Sequence, residues 1–142
     1  YNVVEANLDF LKPYMMQFVD IVFANEEEAK AFTSKEPIDA VKELSTICEL
    51  AIVKVGSQGS YIKKEENFIH VPANEVKSID TTGAGDLYAA GFMYGLLGGY
   101  DLEKCARLGS LLASYVIQII GARIPYEQWN KIGKEVKEIL EK

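Results

Sequence analysis

One stretch of this chain places a carboxylate among hydrogen-bond donors suited to an anion. It runs Asp80-Thr81-Thr82-Gly83-Ala84-Gly85-Asp86 and continues as Leu87-Tyr88-Ala89-Ala90-Gly91-Phe92-Met93. Two glycines around an alanine can hold several backbone N–H groups pointing inward, and the small and apolar residues that follow predict a helix. A glycine loop opening onto a helix N-terminus attracts anions, because unpaired N–H groups and the helix dipole converge there. Asp86 falls in the first turn, where a bound phosphate would repel it. Phosphoryl transfer gives that charge a use: the carboxylate takes the proton of an acceptor hydroxyl while the N–H groups stabilise charge on the moving group. The plainer alternative is that Asp86 favours the helix start, as acids do in first turns. There is no G-x-x-x-x-G-K-[ST] run, and Tyr88 stands where a dinucleotide fingerprint has its third glycine.

Two further motifs lie at strand ends, where ligands of open α/β sheets collect. Asn25-Glu26-Glu27-Glu28 follows the apolar run Val19–Ala24. An amide and a carboxylate three residues apart share one helical face, and Asn25 with Glu28 could hold a Mg²⁺-bound water beside phosphate. Alternatively, these four polar residues are a solvated helix start. In Lys54-Val55-Gly56-Ser57-Gln58-Gly59 the glycines let backbone approach a ligand, and Lys54 can reach a phosphate as a point charge. A tight turn between strands would explain the same glycines. His70 is the only histidine and reads as a surface or satisfied residue.

The elements that must position these groups are legible from period and punctuation. A helix is expected over Asn7–Phe18, with Pro13 setting or kinking its start. Val19–Ala24 and Ala51–Val55 suit buried parallel strands, and Ser60–Lys63 with Phe68–Pro72 suit a hairpin. Helices are expected from Glu26 to Phe32 and from Pro37 to Leu50, and a last strand, Val76–Ile79, should feed the glycine loop. Beyond it come helices from Asp86 to about Leu97, from Asp101 (as N-cap) to about Ile120, and from Pro125 onward. The final helix carries Trp129, Ile132, Val136, Ile139 and Leu140 on one face, as a packing helix does. Strands alternating with helices indicate an α/β layered fold.

With 142 residues and 49% hydrophobic content, one domain with an ample core is expected. A net charge of −6 argues against nucleic acid or an anionic membrane as partner. The two cysteines, Cys48 and Cys105, lie in apolar helical patterns and read as buried thiols in a reducing, cytoplasmic setting. They lack C-x-x-C spacing, which gives no zinc site. The apolar runs are broken before membrane-spanning length. Tyr1 stands where an initiator Met would, so the sequence reads as a piece of a longer protein.

The run from Asp80 to Met93 resembles the C-terminal signature of the ribokinase-like (PfkB) kinases of sugars and nucleosides at every defined position. Leu87–Phe92, with the later Gly121-Ala122-Arg123, is most similar to the bacterial adenosine-kinase-type branch. The resemblance implies a three-layer ribokinase-like α/β fold with a mostly parallel central sheet. Residues 1–142 would be its C-terminal ATP-binding and catalytic part, without the N-terminal part and lid. The implied activity is transfer of the γ-phosphoryl of ATP to a primary hydroxyl of a nucleoside, adenosine first, or of a sugar. Asp86 would be the general base and the N–H groups of Gly83, Ala84 and Gly85 the anion hole. Asn25 and Glu28 match an N-x-x-E motif tied to Mg²⁺ and phosphate, which leaves Glu26 and Glu27 at the surface. Gly56 and Gly59 match a turn beside the nucleotide, where many relatives carry threonine or serine in place of Lys54. In several relatives the positions of Asp80 and Thr82 help bind a monovalent cation such as K⁺. Gly109 and Ser110 fall where relatives pack the adenine ring, although close helix packing accounts for them as well. Arg123 suits a phosphate or purine-side contact or an ordinary surface position. The partner would be a small molecule, with a homodimer open to the full-length protein. Without the acceptor-recognition part, the fragment alone is expected to be inactive. The alternative function is a non-catalytic nucleotide-binding or regulatory module of the same fold.

Overall fold

The computed structural model describes residues 2–142, which form a first unit ending at His70 and a second, Val71–Lys142.

In the first unit the helices α1 (Asn2–Ala6) and α2 (Leu8–Phe18) precede strand β1 (Ile21–Asn25). Helices α3 (Glu26–Thr33) and α4 (Pro37–Leu44) lead to β2 (Leu50–Lys54), and the hairpin β3 (Ser60–Lys64) and β4 (Asn67–Val71) follows. The sheet order is β1-β2-β3-β4, with β1 and β2 parallel and β2 and β3 antiparallel. Because β2 reads Leu-Ala-Ile-Val, both of its faces can be buried, and these four residues are. Ala29, Phe32, Val41 and Leu44 from the two helices pack with Ala51 and Val53 in one core, edged by Leu8, Leu11 and Met15 of α2. Pro13 lies inside α2 rather than at its start.

Helix α4 stops earlier than its apolar spacing predicts. Ser45 and Thr46 turn their hydroxyls back onto the carbonyls of Lys42 and Glu43, both at 2.7 Å. Such short polar side chains compete with the helix for its own carbonyls. Ile47 and Cys48 therefore enter the core from a turn.

The second unit is helical: α5 (Ala84–Leu97), α6 (Leu102–Val116) and α7 (Trp129–Glu141), the last preceded by one 3₁₀ turn, Tyr126–Gln128. Asp101 caps α6 as expected, its Oδ1 accepting the Lys104 N–H at 2.9 Å. Helices α5 and α6 approach so closely that a Cβ on Gly91 would lie 2.5 Å from the Leu108 carbonyl oxygen. Ile132 of α7 is buried with Leu111, Val116 and Ile124, and Val136 and Ile139 pack at the edge.

Two expectations fail here. Val76–Ile79 forms no strand: the N–H groups of Ile79 and Asp80 both donate to the Ile117 carbonyl, at 2.7 and 3.2 Å, instead of joining a ladder. Helix α6 ends at Val116 rather than near Ile120, where β-branched Val116, Ile117, Ile119 and Ile120 crowd a poor helical stretch.

Candidate active site

The glycine loop is fixed before its helix begins. Asp80 Oδ1 accepts the Thr82 N–H at 2.9 Å and the Thr82 hydroxyl at 2.6 Å, while Oδ2 accepts the Gly121 N–H at 2.8 Å. These donors, the Thr82 hydroxyl foremost, hold the Asp80 carboxyl down at about 2. Gly83 follows in the left-handed region, at φ 79°, and a Cβ there would come within 2.7 Å of the Ala122 Cβ. Only glycine satisfies both demands. Asp80 and Thr82, expected to hold a monovalent cation, are engaged with each other and with Gly121. Gly121 and Ala122 were missed as supports of the loop. Their signal was the glycine just past a helix, but nothing in the sequence joins it to a carboxylate 41 residues earlier.

Gly83 is the N-cap of α5 and offers no side chain to its first turn. The Ala84 N–H donates to the Thr81 carbonyl at 3.1 Å, so of the three N–H groups expected in the anion hole this one is already engaged. Among the described residues, the N–H groups of Gly83, Gly85 and Asp86 have no partner. The Asp86 side chain is exposed, and no described hydrogen bond or ion pair holds it. A free carboxylate thus stands beside unpaired donors at the positive end of a 14-residue helix.

Gly109 and Ser110 lie on α6. A Cβ on Gly109 would meet the Tyr88 carbonyl oxygen at 2.7 Å, and Ser110 is 6% exposed. Gly109 thus serves the α5–α6 contact and Ser110 is buried, both of which suit the packing alternative. Arg123 is exposed.

In the first unit, the parallel register sets Asn25 opposite Lys54 at the carboxyl ends of β1 and β2. Two motifs separate in sequence are thereby adjacent. Asn25 and Glu28 form a capping box at the start of α3. The Glu28 N–H donates to Asn25 Oδ1 at 2.8 Å, and the Asn25 N–H donates to Glu28 Oε2 at 2.9 Å. The four polar residues are therefore a helix start with a specific lock, which neither sequence alternative named. Beyond Lys54, Gly56–Gln58 make a 3₁₀ turn, closed by the Gly59 N–H on the Gly56 carbonyl at 3.1 Å. Among the described residues, no three or more His, Cys, Asp or Glu side chains gather as a metal site.

The fold is ribokinase-like. The chain resembles the crystal structure of adenosine kinase from Sinorhizobium meliloti with a TM-score of 0.85 and 38% identity, over 93% of this chain and 41% of that one. The ribokinase of Thermotoga maritima gives a TM-score of 0.78 at 25% identity, over 96% of this chain and 47% of that one. A nucleoside kinase of Methanocaldococcus jannaschii is 32% identical over 124 residues, which are 87% of this chain and 41% of that protein. The model of the pfkB family carbohydrate kinases matches residues 2–129, and the chain belongs to that family. It spans less than half the length of these relatives. No helix among the described residues is long and apolar enough to cross a membrane.

Proposed function

We propose that this chain is the ATP-binding and catalytic part of a kinase that transfers the γ-phosphoryl of ATP to a primary hydroxyl of a nucleoside, adenosine first, or of a sugar. The observation that carries the proposal is Asp86, exposed and unpaired in the first turn of α5 beside unpartnered N–H groups. In this reading Asp86 takes the acceptor's proton, and the N–H groups of Gly83 and Gly85 receive charge on the transferred group. The Gly56–Gly59 turn lies at the nucleotide, with Lys54 toward its phosphates. The likeness to an adenosine kinase and to a nucleoside kinase supports the choice of acceptor.

Magnesium fits the donor set in a limited way. The capping box uses Glu28 Oε2 and leaves Oε1 without a described partner. Mg²⁺ keeps several waters and needs only one or two carboxylates beside phosphate oxygens, which Glu28, with Asn25 next to it, could supply. When bound, the ion neutralises phosphate charge.

The test is phosphorylation of a nucleoside and sugar panel by the intact kinase with ATP and Mg²⁺, comparing wild type with Asp86→Asn. Loss of about 10²–10⁴-fold is expected for removal of a general base. A variant as active as wild type would exclude Asp86 from that role.

A further inference from the structure

We infer that His70 is a positioning residue that locks the turn after β2 in its nucleotide-ready form, an inference resting on the reading of that turn given above. His70 Nε2 lies 2.7 Å from the Gln58 carbonyl oxygen, and because a carbonyl only accepts, Nε2 carries the proton. The imidazole is held in place by Tyr61, whose ring centroid lies 4.8 Å away; Phe68, two residues before His70 on β4, stacks on the same tyrosine at 6.0 Å.

The bond acts on one peptide plane. The Gln58 carbonyl is fixed by His70, and the N–H of the same peptide, that of Gly59, is fixed by the Gly56 carbonyl at 3.1 Å. Gly59 then leaves the turn at φ 96° and ψ −129°, a conformation that only glycine adopts readily. A glycine-flanked peptide of this kind flips easily unless both of its ends are bonded. Among the described residues, the N–H groups of Gly56 and Ser57 have no partner, and holding the 58–59 peptide keeps them available to an anion. A tight turn made only to connect β2 to β3 needs no side chain reaching in from β4.

The experiment measures ATP affinity by titration calorimetry in the presence of Mg²⁺, together with amide exchange at Gly59 without ATP. It compares wild type with His70→Ala, His70→Gln and Ser57→Pro, the last removing one of the two offered N–H groups. His70→Ala should weaken ATP by roughly three- to tenfold, the scale of one lost hydrogen bond. Gly59 exchange should quicken, and glutamine, which can donate to the same carbonyl, should restore both. If His70→Ala keeps wild-type affinity while Ser57→Pro loses it, the turn serves the nucleotide without His70 and the inference is overturned. If glutamine rescues neither property, or Gly59 exchange stays at its wild-type rate in His70→Ala, the imidazole's bond is not the lock and the inference falls. If wild type takes up no ATP, or Ser57→Pro and His70→Ala both bind as wild type does, the nucleotide reading of the turn fails and takes the inference with it.

Discussion

Helices α3 and α5 begin with the same spacing, an N-cap residue and an acid three positions on, yet they put that acid to opposite uses. At α3 the N-cap is Asn25, whose side chain takes the Glu28 N–H while Glu28 reaches back to the Asn25 N–H. At α5 the N-cap is Gly83, which has nothing to offer, and Asp86 stays in solvent. The first arrangement satisfies its own donors and stabilises its helix, by about 1 kcal/mol for a typical cap. The second gives up that stabilisation and keeps both donors and carboxylate open to a ligand. An acid at a helix start therefore stays open to a ligand only where the start is left uncapped.

The contrast can be broken at several points. The largest effect belongs to Asp86→Asn, with its loss of about 10²–10⁴-fold in phosphoryl transfer and an unchanged melting temperature. Its counterpart, Glu28→Gln, keeps a side chain able to close the box, so it should melt with wild type while needing more Mg²⁺ for full activity. If Glu28→Gln unfolds early, the charge and not the hydrogen bond holds α3. Next comes Gly91→Ala, which drives a methyl against the Leu108 carbonyl and should cost about 1–3 kcal/mol in denaturant melts, despite alanine's better helix propensity. Asn25→Ala should cost about 1 kcal/mol through the lost cap, whereas Gly83→Ala tests strain instead of capping. The smallest effect is a pH response. The Asp80 carboxyl is held at about 2, below its usual 3.8, so the stability it adds is present above 3.8 and disappears as pH falls through about 2. Amide shifts of Thr82 and Gly121 should titrate near that lower value; a midpoint near 3.8 would mean that the clasp does not form.

The sequence was most informative where chemistry is local. The glycine loop, the helix after it, the Asp101 cap and the hairpin around Glu65 and Glu66 all rest on residues within a few positions of each other, and all are found. The Asn25–Glu28 box is also local, since an amide followed three residues on by glutamate carries the capping signature, but the same spacing suits a metal pair and does not by itself choose between them. What could not be read were contacts between distant segments. Gly109 differs from a ligand-side glycine only in that the Tyr88 backbone occupies the space beside it. Val76–Ile79 has strand composition, yet the amide of Ile79, with that of Asp80 after it, finds one carbonyl at a helix end instead of a neighbouring strand. The register that sets Asn25 opposite Lys54 depends on how β1 and β2 slide, and neither run of β-branched residues specifies that alone.

The clasp between Asp80 and Gly121 runs in both directions. Residues 79 and 80 donate to the carbonyl of Ile117, and the Asp80 carboxylate receives the amide of Gly121. Two segments that give and take from each other cannot slide independently, so the glycine loop and the tail of α6 travel as a single piece. Any motion of the loop then carries the tail of α6 with it, and a side chain introduced at Gly121, strained at φ 86°, would be felt in the glycine loop through the Asp80 carboxylate.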